Sequence, residues 1–241
     1  MPANCSAPWS KASCSASEPM SGYPIILDLR DRLVVVVGGG HVGRRKVAGL
    51  FAAGARVRLI CRDQVPPTCW SQTPELHLRP FHPSDLDGAS LAFAATGITE
   101  VDQAVLAAAR ERGIPANLAA APEAGDFIVP AVARRGELII TVATGGRAPA
   151  MAAIVRDRIA AGLGPEWEFC VEIAARLRQE KLTGCCESVY SSKVLAELLD
   201  GGLAELLVHR NTEAINHLLT QVCGRELTLA GLGLTLPDPT P

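Results

Sequence analysis

The sequence lacks any uninterrupted apolar run of the length that crosses a bilayer. A membrane-spanning helix needs about 20 consecutive apolar residues, and no stretch of this 241-residue chain approaches that, although 48% of its residues are hydrophobic. A strong excess of either charge is also missing, since the formal net charge is -2. We therefore expect a globular protein whose partners include neither a membrane nor a nucleic acid.

The cysteines lack the CxxC spacing of a metal or redox site, and a chain of this length needs no disulfide staples. The eight are Cys5, Cys14, Cys61, Cys69, Cys170, Cys185, Cys186 and Cys223. We interpret them, including the adjacent Cys185 and Cys186, as reduced thiols of a cytoplasmic protein. Metal-ligand spacing is also missing among four histidines, so we expect no metal there; they are His77, His82, His209 and His217.

Strands and helices alternate through the first half of the chain. Residues 33–37, LVVVV, have the composition of a strand buried on both faces. A helix is predicted over 42–53, and a second strand over 56–61 completes a βαβ unit. Further strands are predicted at 75–79, 91–95 and 114–118, with a helix at 101–112. This alternation predicts an α/β fold, a Rossmann-like and mostly parallel sheet with helices on both faces.

After Pro130 the pattern changes to one more strand, 137–144, followed by helical patterns. Proline and glycine mark the limits of these segments. The predicted helices cover 149–161, 166–181, 192–199 and 212–223. The sequence therefore predicts a main boundary near 132–137, a second near Gly164, and a helical C-terminal module.

A glycine turn lies between the first strand and the first helix. Gly38, Gly40 and Gly43 have the GxGxxG spacing, in which the first glycine permits a tight turn, the second admits a pyrophosphate, and the third lets helix and strand pack closely. The helix N-terminus supplies unpaired N–H groups for the phosphates. A flexible glycine loop has the same letters, but the flanking strand, helix and βαβ length favour dinucleotide binding.

Two charged residues follow the second strand, where a dinucleotide's ribose is usually bound. Asp63 favours NAD, whose ribose hydroxyls bind a carboxylate, whereas Arg62 is compatible with the 2′-phosphate of NADP. A solvated charge pair at a strand end is the alternative interpretation. These two residues leave the choice of dinucleotide open.

An ordered set of segments resembles the bifunctional precorrin-2 dehydrogenase/sirohydrochlorin ferrochelatase family, which includes the N-terminal module of siroheme synthases. The resemblance covers about residues 23–163. The matching segments are YPIILDLRDR (23–32), VVVVGGGHVGRRK (34–46), AGARVRLI (53–60), AFAAT (92–96), Asn117, Pro122, DFIVPA (126–131), TVATGGRAPAMA (141–152) and Arg156. The glycine turn alone is unspecific, but the ordered set is specific.

The resemblance implies an NAD-dependent dehydrogenase that oxidises precorrin-2 to sirohydrochlorin and forms a homodimer. It implies a cofactor site made of Gly38, Gly39, Gly40, His41, Val42, Gly43, Arg62, Asp63 and Thr96. It implies substrate contacts from Asn117, Thr144, Gly145, Gly146 and Arg156. Further arginines are candidates for the substrate's carboxylates, namely Arg134, Arg135 and Arg147, while Arg44, Arg45 and Lys46 are expected on an exposed helix face.

One position departs from the family's pattern. The family commonly has an aspartate, its favoured acid/base, where this chain has Ala120. Metal insertion requires the removal of pyrrole protons, so the alanine weakens chelatase activity most, whereas hydride transfer depends mainly on positioning. The catalytic residue is therefore unknown, with Glu123 and Asp126 as weak candidates. The alternatives are a bifunctional dehydrogenase/ferrochelatase and a non-enzymatic NAD sensor or tetrapyrrole carrier.

Together, the pattern and the resemblance predict five segments. Residues 1–21 form a disordered leader, because they offer little apolar surface to bury. Residues 22–133 form the NAD-binding domain, and 134–164 the dimerisation and substrate segment. Residues 165–225 form the helical module, and 226–241 a tail.

Overall fold

The computed structural model describes residues 22–63, 70, 72–183, 189–224 and 226–236. The expected leader, 1–21, and the pair Cys185–Cys186 lie outside these residues. The chain divides into two compact units: the described residues of Met1–Val129 with Gly145–Arg147, and those of Pro130–Thr144 with Ala148–Pro241. The finer division at 133/134 and 164/165 stays a prediction.

The first unit is built on a five-stranded parallel sheet. Its strands are β1 (Leu33–Val37), β2 (Arg56–Cys61), β3 (Glu75–Leu78), β4 (Leu91–Ala94) and β5 (Ala116–Leu118). Their order across the sheet is β3-β2-β1-β4-β5, with every pair parallel. Two helices, α1 (His41–Phe51) and α2 (Thr99–Glu111), connect them. This arrangement confirms the predicted Rossmann-like α/β fold.

The sheet is covered on both faces because its central strand is apolar throughout. Val34 and Val36 pack on the α1 side, with Val47. Val35 and Val37 pack on the other side, against α2. Alternate residues of β1 therefore serve two cores, which is why an unbroken valine run indicates a central parallel strand.

The second unit begins with a two-stranded antiparallel hairpin, β6 (Ala131–Arg135) and β7 (Leu138–Val142). Helix α3 (Pro149–Ala161) packs on both strands. The sequence predicted β7 but placed a domain boundary near 132–137 and did not predict the strand there. The first strand was missed because its half-buried AVARR segment has no clear alternation of apolar and polar residues.

Helices α4 (Glu166–Leu182), α5 (Ser192–Asp200), α6 (Leu203–Val208) and α7 (Thr212–Cys223) complete the second unit. Their core includes Ile173, Leu177, Ile215 and Leu219, all fully buried. The predicted helical C-terminal module is thus confirmed, although α6, with only six residues, was not predicted. No helix among the described residues is both long and apolar enough to cross a membrane.

Candidate dinucleotide-binding site

A cavity of about 480 Å³ opens at the carboxyl ends of the parallel strands in the first unit. This edge of an open α/β sheet is where such folds bind ligands. The lining residues are Val37, Gly38, Gly39, Gly40, Ile60, Cys61, Arg62, Asp63, Arg79, Pro80, Phe81, Thr96, Ile98, Glu100, Val101 and Ala104. Six of the nine predicted cofactor residues therefore meet in one cavity.

Two glycines of the turn are required by close packing. Gly38 has a φ of 116°, and a Cβ there would overlap the carbonyl group of Ala95 at the end of β4. Its amide donates to the Ile60 carbonyl oxygen at 2.8 Å, which fastens the turn between β1 and α1 to the neighbouring strand β2. A Cβ on Gly43 would overlap the Gly38 carbonyl oxygen. These contacts bring α1 close to the sheet.

Gly40, unlike Gly38 and Gly43, is not packed against other atoms at the position of a Cβ. A Cβ at this position would meet no heavy atom within 4 Å, and Gly40 lines the cavity. Gly40 is also the N-cap residue of α1 and brings no side chain to cap it. The start of α1 is therefore open to a phosphate, whose charge the helix N-terminus favours. The turn fits the pyrophosphate of a dinucleotide.

His41 and Val42 form the exposed first turn of α1. Neither side chain is among the residues that line the cavity. Any cofactor contact from this pair thus comes from the mouth of the cavity. Their predicted role as cofactor contacts stays a prediction.

Thr96 lines the cavity, and its hydroxyl group is already engaged. The Thr96 Oγ1 donates to the Asp102 Oδ1 at 2.7 Å, and the Thr96 amide donates to the same oxygen at 3.0 Å. Thr96 Oγ1 also accepts from the Ile98 amide at 3.1 Å. Asp102, which is 3% exposed, therefore fixes the turn from β4 to α2. Sequence reasoning missed Asp102, although an acid in the first turn of a helix is a recognisable capping signal.

Arg62 and Asp63 are exposed at the end of β2, as the parallel sheet requires. The Cys61 Sγ donates to the Asp63 carbonyl oxygen at 3.2 Å. Burial, and to a lesser extent the Asp63 charge, raise the pKa of the Cys61 thiol. This wall of the cavity therefore presents a neutral thiol beside the two charged side chains.

Arg79 follows β3 and lines the same cavity, although the sequence analysis did not name it as a site residue. Its Nη1 donates to the Asp85 Oδ2 at 2.9 Å, and its Nη2 donates to Oδ1 at 2.5 Å. Asp85 lies in the 3-10 segment Pro83–Leu86 and is 4% exposed. Arg79 thus belongs to the same cavity wall as Arg62 and Asp63, and a two-point ion pair with Asp85 holds it from behind.

The apolar part of the lining comes from α2, the preceding turn and the segment after β3. Val101 and Ala104 belong to α2, and Ile98 is its N-cap residue. Pro80 and Phe81 follow β3. The flat ring of a nucleotide base fits such a lining, since ligand cavities combine apolar walls with a few precisely placed polar groups.

The basic helix face was predicted to be exposed, and Lys46 corrects this. Its Nζ lies 5.3 Å from the ring centroid of Phe93 on β4, and the residue is partly buried. Desolvation, followed by the charge of Arg45, lowers the Lys46 pKa to about 8. Arg44 is partly buried too, and its carbonyl oxygen accepts from the Trp70 indole at 3.1 Å. Arg45 is exposed as predicted.

Two predicted residues near β5 have structural partners. Asn117 is 3% exposed, and its Nδ2 donates to the Phe127 carbonyl oxygen at 2.8 Å. The Asp126 Oδ2 accepts from the Ala116 amide at 2.9 Å. Both bonds fasten the segment after Pro122 to β5. Ala120 and the other candidate base, Glu123, are exposed.

The predicted substrate residues 144–146 form the turn between β7 and α3. The Thr144 Oγ1 accepts from the Ala148 amide at 3.2 Å. Gly145 and Gly146 have positive φ values of 60° and 79°. In α3, Arg156 pairs with Asp157 at 2.6 Å. These residues do not line the cavity, and their predicted substrate contacts stay predictions.

Among the described residues, no group of three or more His, Cys, Asp or Glu side chains is arranged to hold a metal ion. Cys61, Cys170 and Cys223 are buried. Burial, with a smaller effect of Glu166, raises the Cys170 pKa to about 11. Cys170 is therefore a protonated thiol in the helical core.

Comparison with known proteins points to the same cofactor chemistry. Residues 25–131 match a family described as putative NAD(P)-binding. The siroheme synthase of Methylobacillus flagellatus is 36% identical over 234 residues, which cover 91% of this chain and 49% of the relative. Siroheme synthase 1 of Halorhodospira halophila is 33% identical, covering 91% and 48%, and an Escherichia coli siroheme synthase is 32% identical, covering 88% and 47%. The chain spans about half the length of these curated relatives.

A solved precorrin-2 dehydrogenase, SirC, shares the fold. It aligns with a TM-score of 0.59 and 20% sequence identity, covering 83% of this chain and 98% of that one. At this identity the likeness concerns the fold. It agrees with the parallel sheet and the helical C-terminal region described above.

Proposed function

We propose that this chain, whose residues 25–131 match a family described as putative NAD(P)-binding and which aligns with about half the length of the siroheme synthases, is an NAD-dependent precorrin-2 dehydrogenase. The reaction is the oxidation of precorrin-2 to sirohydrochlorin in siroheme biosynthesis, in the cytoplasm. The observation that carries the proposal is the glycine turn, packed against Ala95 at Gly38 and open at Gly40 beside the cavity.

The chain's own residues bind and orient the reactants. The open start of α1 at Gly40 receives the pyrophosphate. Asp63 receives the ribose hydroxyls, and the resemblance to an NAD-dependent family is why we choose NAD rather than NADP. The Thr96–Asp102 turn closes the opposite side of the cavity. Bound NAD supplies the hydride acceptor, and the protein supplies proximity and orientation.

We propose a dehydrogenase without chelatase activity. Metal insertion requires that protons leave the macrocycle, and Ala120 has no group that accepts one. Asp126 uses a carboxylate oxygen to hold the Ala116 amide, so it is not set apart for proton transfer. The proton lost in the oxidation passes to solvent or to Glu123, which is exposed.

We propose further that the protein is a homodimer joined through α3 and the adjoining hairpin. Four apolar side chains of α3 are exposed in the single chain, although they recur at the spacing of one helix face. They are Met151, Ile154, Val155 and Ile159, which are 54%, 49%, 36% and 44% exposed. An apolar surface of this kind commonly marks an interface between proteins.

The test is an anaerobic assay with precorrin-2 generated in place, NAD or NADP, and then ferrous or cobalt ion. We expect sirohydrochlorin, detected by its absorbance, to form with NAD. We expect no acceleration of metal insertion. The matched variant is Gly40→Ala, whose Cβ meets no protein atom. It should fold normally, while NADH affinity falls about tenfold because the methyl group lies at the phosphate position.

The possible results separate the functions. Faster metal insertion would establish the bifunctional enzyme and show that another group replaces the missing carboxylate. Nucleotide binding without oxidation of precorrin-2 would favour the sensor or carrier. Absence of both binding and oxidation would contradict the proposal itself. A Gly40→Ala protein that binds NADH normally would contradict the assignment of the turn.

A further inference from the structure

We propose that the ion pair between Arg79 and Asp85 is a specificity determinant of the cavity: Asp85 holds the charge of Arg79 away from a 2′-phosphate, and this favours NAD over NADP. The inference rests on the proposed function, because it concerns the dinucleotide expected in that cavity. It adds to Arg62 and Asp63, the two residues that the sequence pattern indicates.

The sheet register brings two arginines together at one edge of the cavity. Cys61 of β2 pairs with Leu78 of β3. Arg62 and Arg79 therefore follow neighbouring parallel strands at equivalent positions, and both line the cavity. The end of β2 is where the adenosine ribose is bound in this fold. Two arginines that follow neighbouring strands and line one cavity suit a phosphate, so this edge contains the cations that NADP would require.

Asp85 binds the guanidinium group of Arg79 but does not itself line the cavity. The two bonds, from Nη1 to Oδ2 and from Nη2 to Oδ1, use the two-point geometry that arginine forms with a carboxylate. Nη1 also donates to the Pro80 carbonyl oxygen at 3.1 Å. The hydrogen bonds to Asp85 raise the pKa of Arg79 above its ordinary value. Arg79 remains a cation, but its charge is neutralised locally.

Asp85 is itself held independently of any cofactor. Its Oδ2 accepts from the His82 amide at 2.8 Å, and its carbonyl oxygen accepts from the Arg58 Nη1 at 2.8 Å. Burial acts to raise the Asp85 pKa, but the hydrogen bonds from Arg79 and His82 outweigh it and lower that pKa. The ion pair is thus formed before the dinucleotide arrives.

The charges at this edge disfavour an additional phosphate. Arg62 has Asp63 as its neighbour, Arg79 has Asp85, and Glu100 also lines the cavity. Two cations of the lining are thus accompanied by three carboxylates, of which Asp63 and Glu100 line the cavity and Asp85 lies behind Arg79. A phosphomonoester adds between one and two negative charges at neutral pH, whereas the ribose hydroxyls of NAD add none. The ion pair therefore discriminates by charge, and removing one partner should change the discrimination in a direction set by the partner removed.

The experiment measures the dissociation constants of NADH and NADPH by fluorescence titration of the full chain. Asp85→Asn keeps an acceptor for the His82 amide but loses the charge, so it should lower the NADPH-to-NADH ratio of dissociation constants about fivefold. Arg79→Gln leaves the carboxylate without its cation and should raise that ratio. The double variant should return it close to the starting value.

The matched control is Asp87→Asn. Asp87 follows the same 3-10 segment, is 67% exposed, and pairs with Arg112 rather than with a cavity residue. This substitution removes the same charge two positions away and should leave the ratio unchanged. Thermal melting shows whether each variant is folded, and Arg79→Gln tests the inference if Asp85→Asn does not fold.

The outcomes distinguish the inference from the proposed function. A folded Asp85→Asn protein that binds NADH with an unchanged ratio overturns the inference and leaves the proposed function standing, as does an unchanged ratio in Arg79→Gln. An equal shift in Asp87→Asn also overturns it, because the effect would then be a general one of charge. An unaltered protein that binds neither nucleotide overturns the proposed function and the inference with it.

Discussion

Helices α1 and α3 each follow a glycine turn, but the two turn–helix pairs differ in what surrounds them. The turn before α1 is crowded, since a Cβ on Gly38 or Gly43 would overlap backbone atoms. The turn before α3 is open, since a Cβ on Gly145 or Gly146 would meet nothing within 4 Å. The first pair needs glycine for close approach, and the second needs it for positive φ.

The helices differ in the same way. α1 buries Val47, Leu50 and Phe51 on the sheet. α3 has Ala152 as its buried residue, while residues as large as Ile154 stay half exposed. A helix gains most of its stability from packing an apolar face. α1 finds that packing within its own unit, whereas the apolar face of α3 stays partly exposed in the single chain.

The largest effect is expected from Gly43→Ala, which tests the crowded turn. The added methyl group overlaps the Gly38 carbonyl oxygen, so α1 must move away from the sheet. We expect a loss of about 3 kcal/mol in the free energy of unfolding, measured by urea denaturation, and a loss of NADH binding.

Gly49→Ala is the matched control for that substitution. Gly49 lies in the same helix, is exposed, and has no neighbour within 4 Å of its added Cβ. It should gain about 0.5–1 kcal/mol from helix propensity. Equal stability losses in both variants would show that α1 tolerates no alanine, rather than that the turn is crowded.

Ile154→Glu tests the exposed face of α3. A carboxylate placed in an apolar interface must lose its hydration, so we expect the proposed dimer to weaken about a hundredfold, measured by sedimentation velocity, with the monomer still folded. Val208→Glu in α6 introduces the same side chain at a residue that is 58% exposed. It should leave the dimer intact. An Ile154→Glu protein that stays dimeric at the same concentrations would remove α3 from the interface.

Gly145→Ala tests the open turn and should have a smaller effect. Alanine fits the available space but is strained at a φ of 60°, so we expect a loss of about 1.5 kcal/mol in unfolding free energy. Asparagine tolerates this conformation better, and Gly145→Asn should lose less than half as much. NADH binding should not change in either variant, because Gly145 does not line the cavity. A loss of NADH affinity would contradict the separation of the two turns.

The fold could be predicted where local pattern and tertiary environment agree. The valine run of β1 and the glycine spacing are local features, because a central strand must be apolar and the turn admits no side chain at Gly38. Strand β6 was missed because its pairing with β7, rather than its own pattern, makes it a strand. Asp85 was missed because its partner, Arg79, depends on where the chain turns. Asp102 has a recognisable position in the first turn of α2, but that position does not reveal its partner, Thr96.

The smallest effect concerns Lys46, which distinguishes α1 from a solvated helix face. Its pKa is about 8 in the folded protein, mainly through desolvation, against an ordinary 10.5. Between these values the unfolded chain binds more protons than the folded one, so stability rises with pH. The attraction of the ammonium group to the Phe93 ring, 5.3 Å away, opposes this trend. Relative to Lys46→Met, the unaltered protein should therefore gain about 1 kcal/mol of unfolding free energy between pH 7 and pH 9, measured by urea denaturation.

The control is Lys46→Arg, which keeps its charge over this range and should show no such gain. If the difference in unfolding free energy between the unaltered protein and Lys46→Met stays constant with pH, Lys46 is solvated in the folded protein, as the sequence predicted.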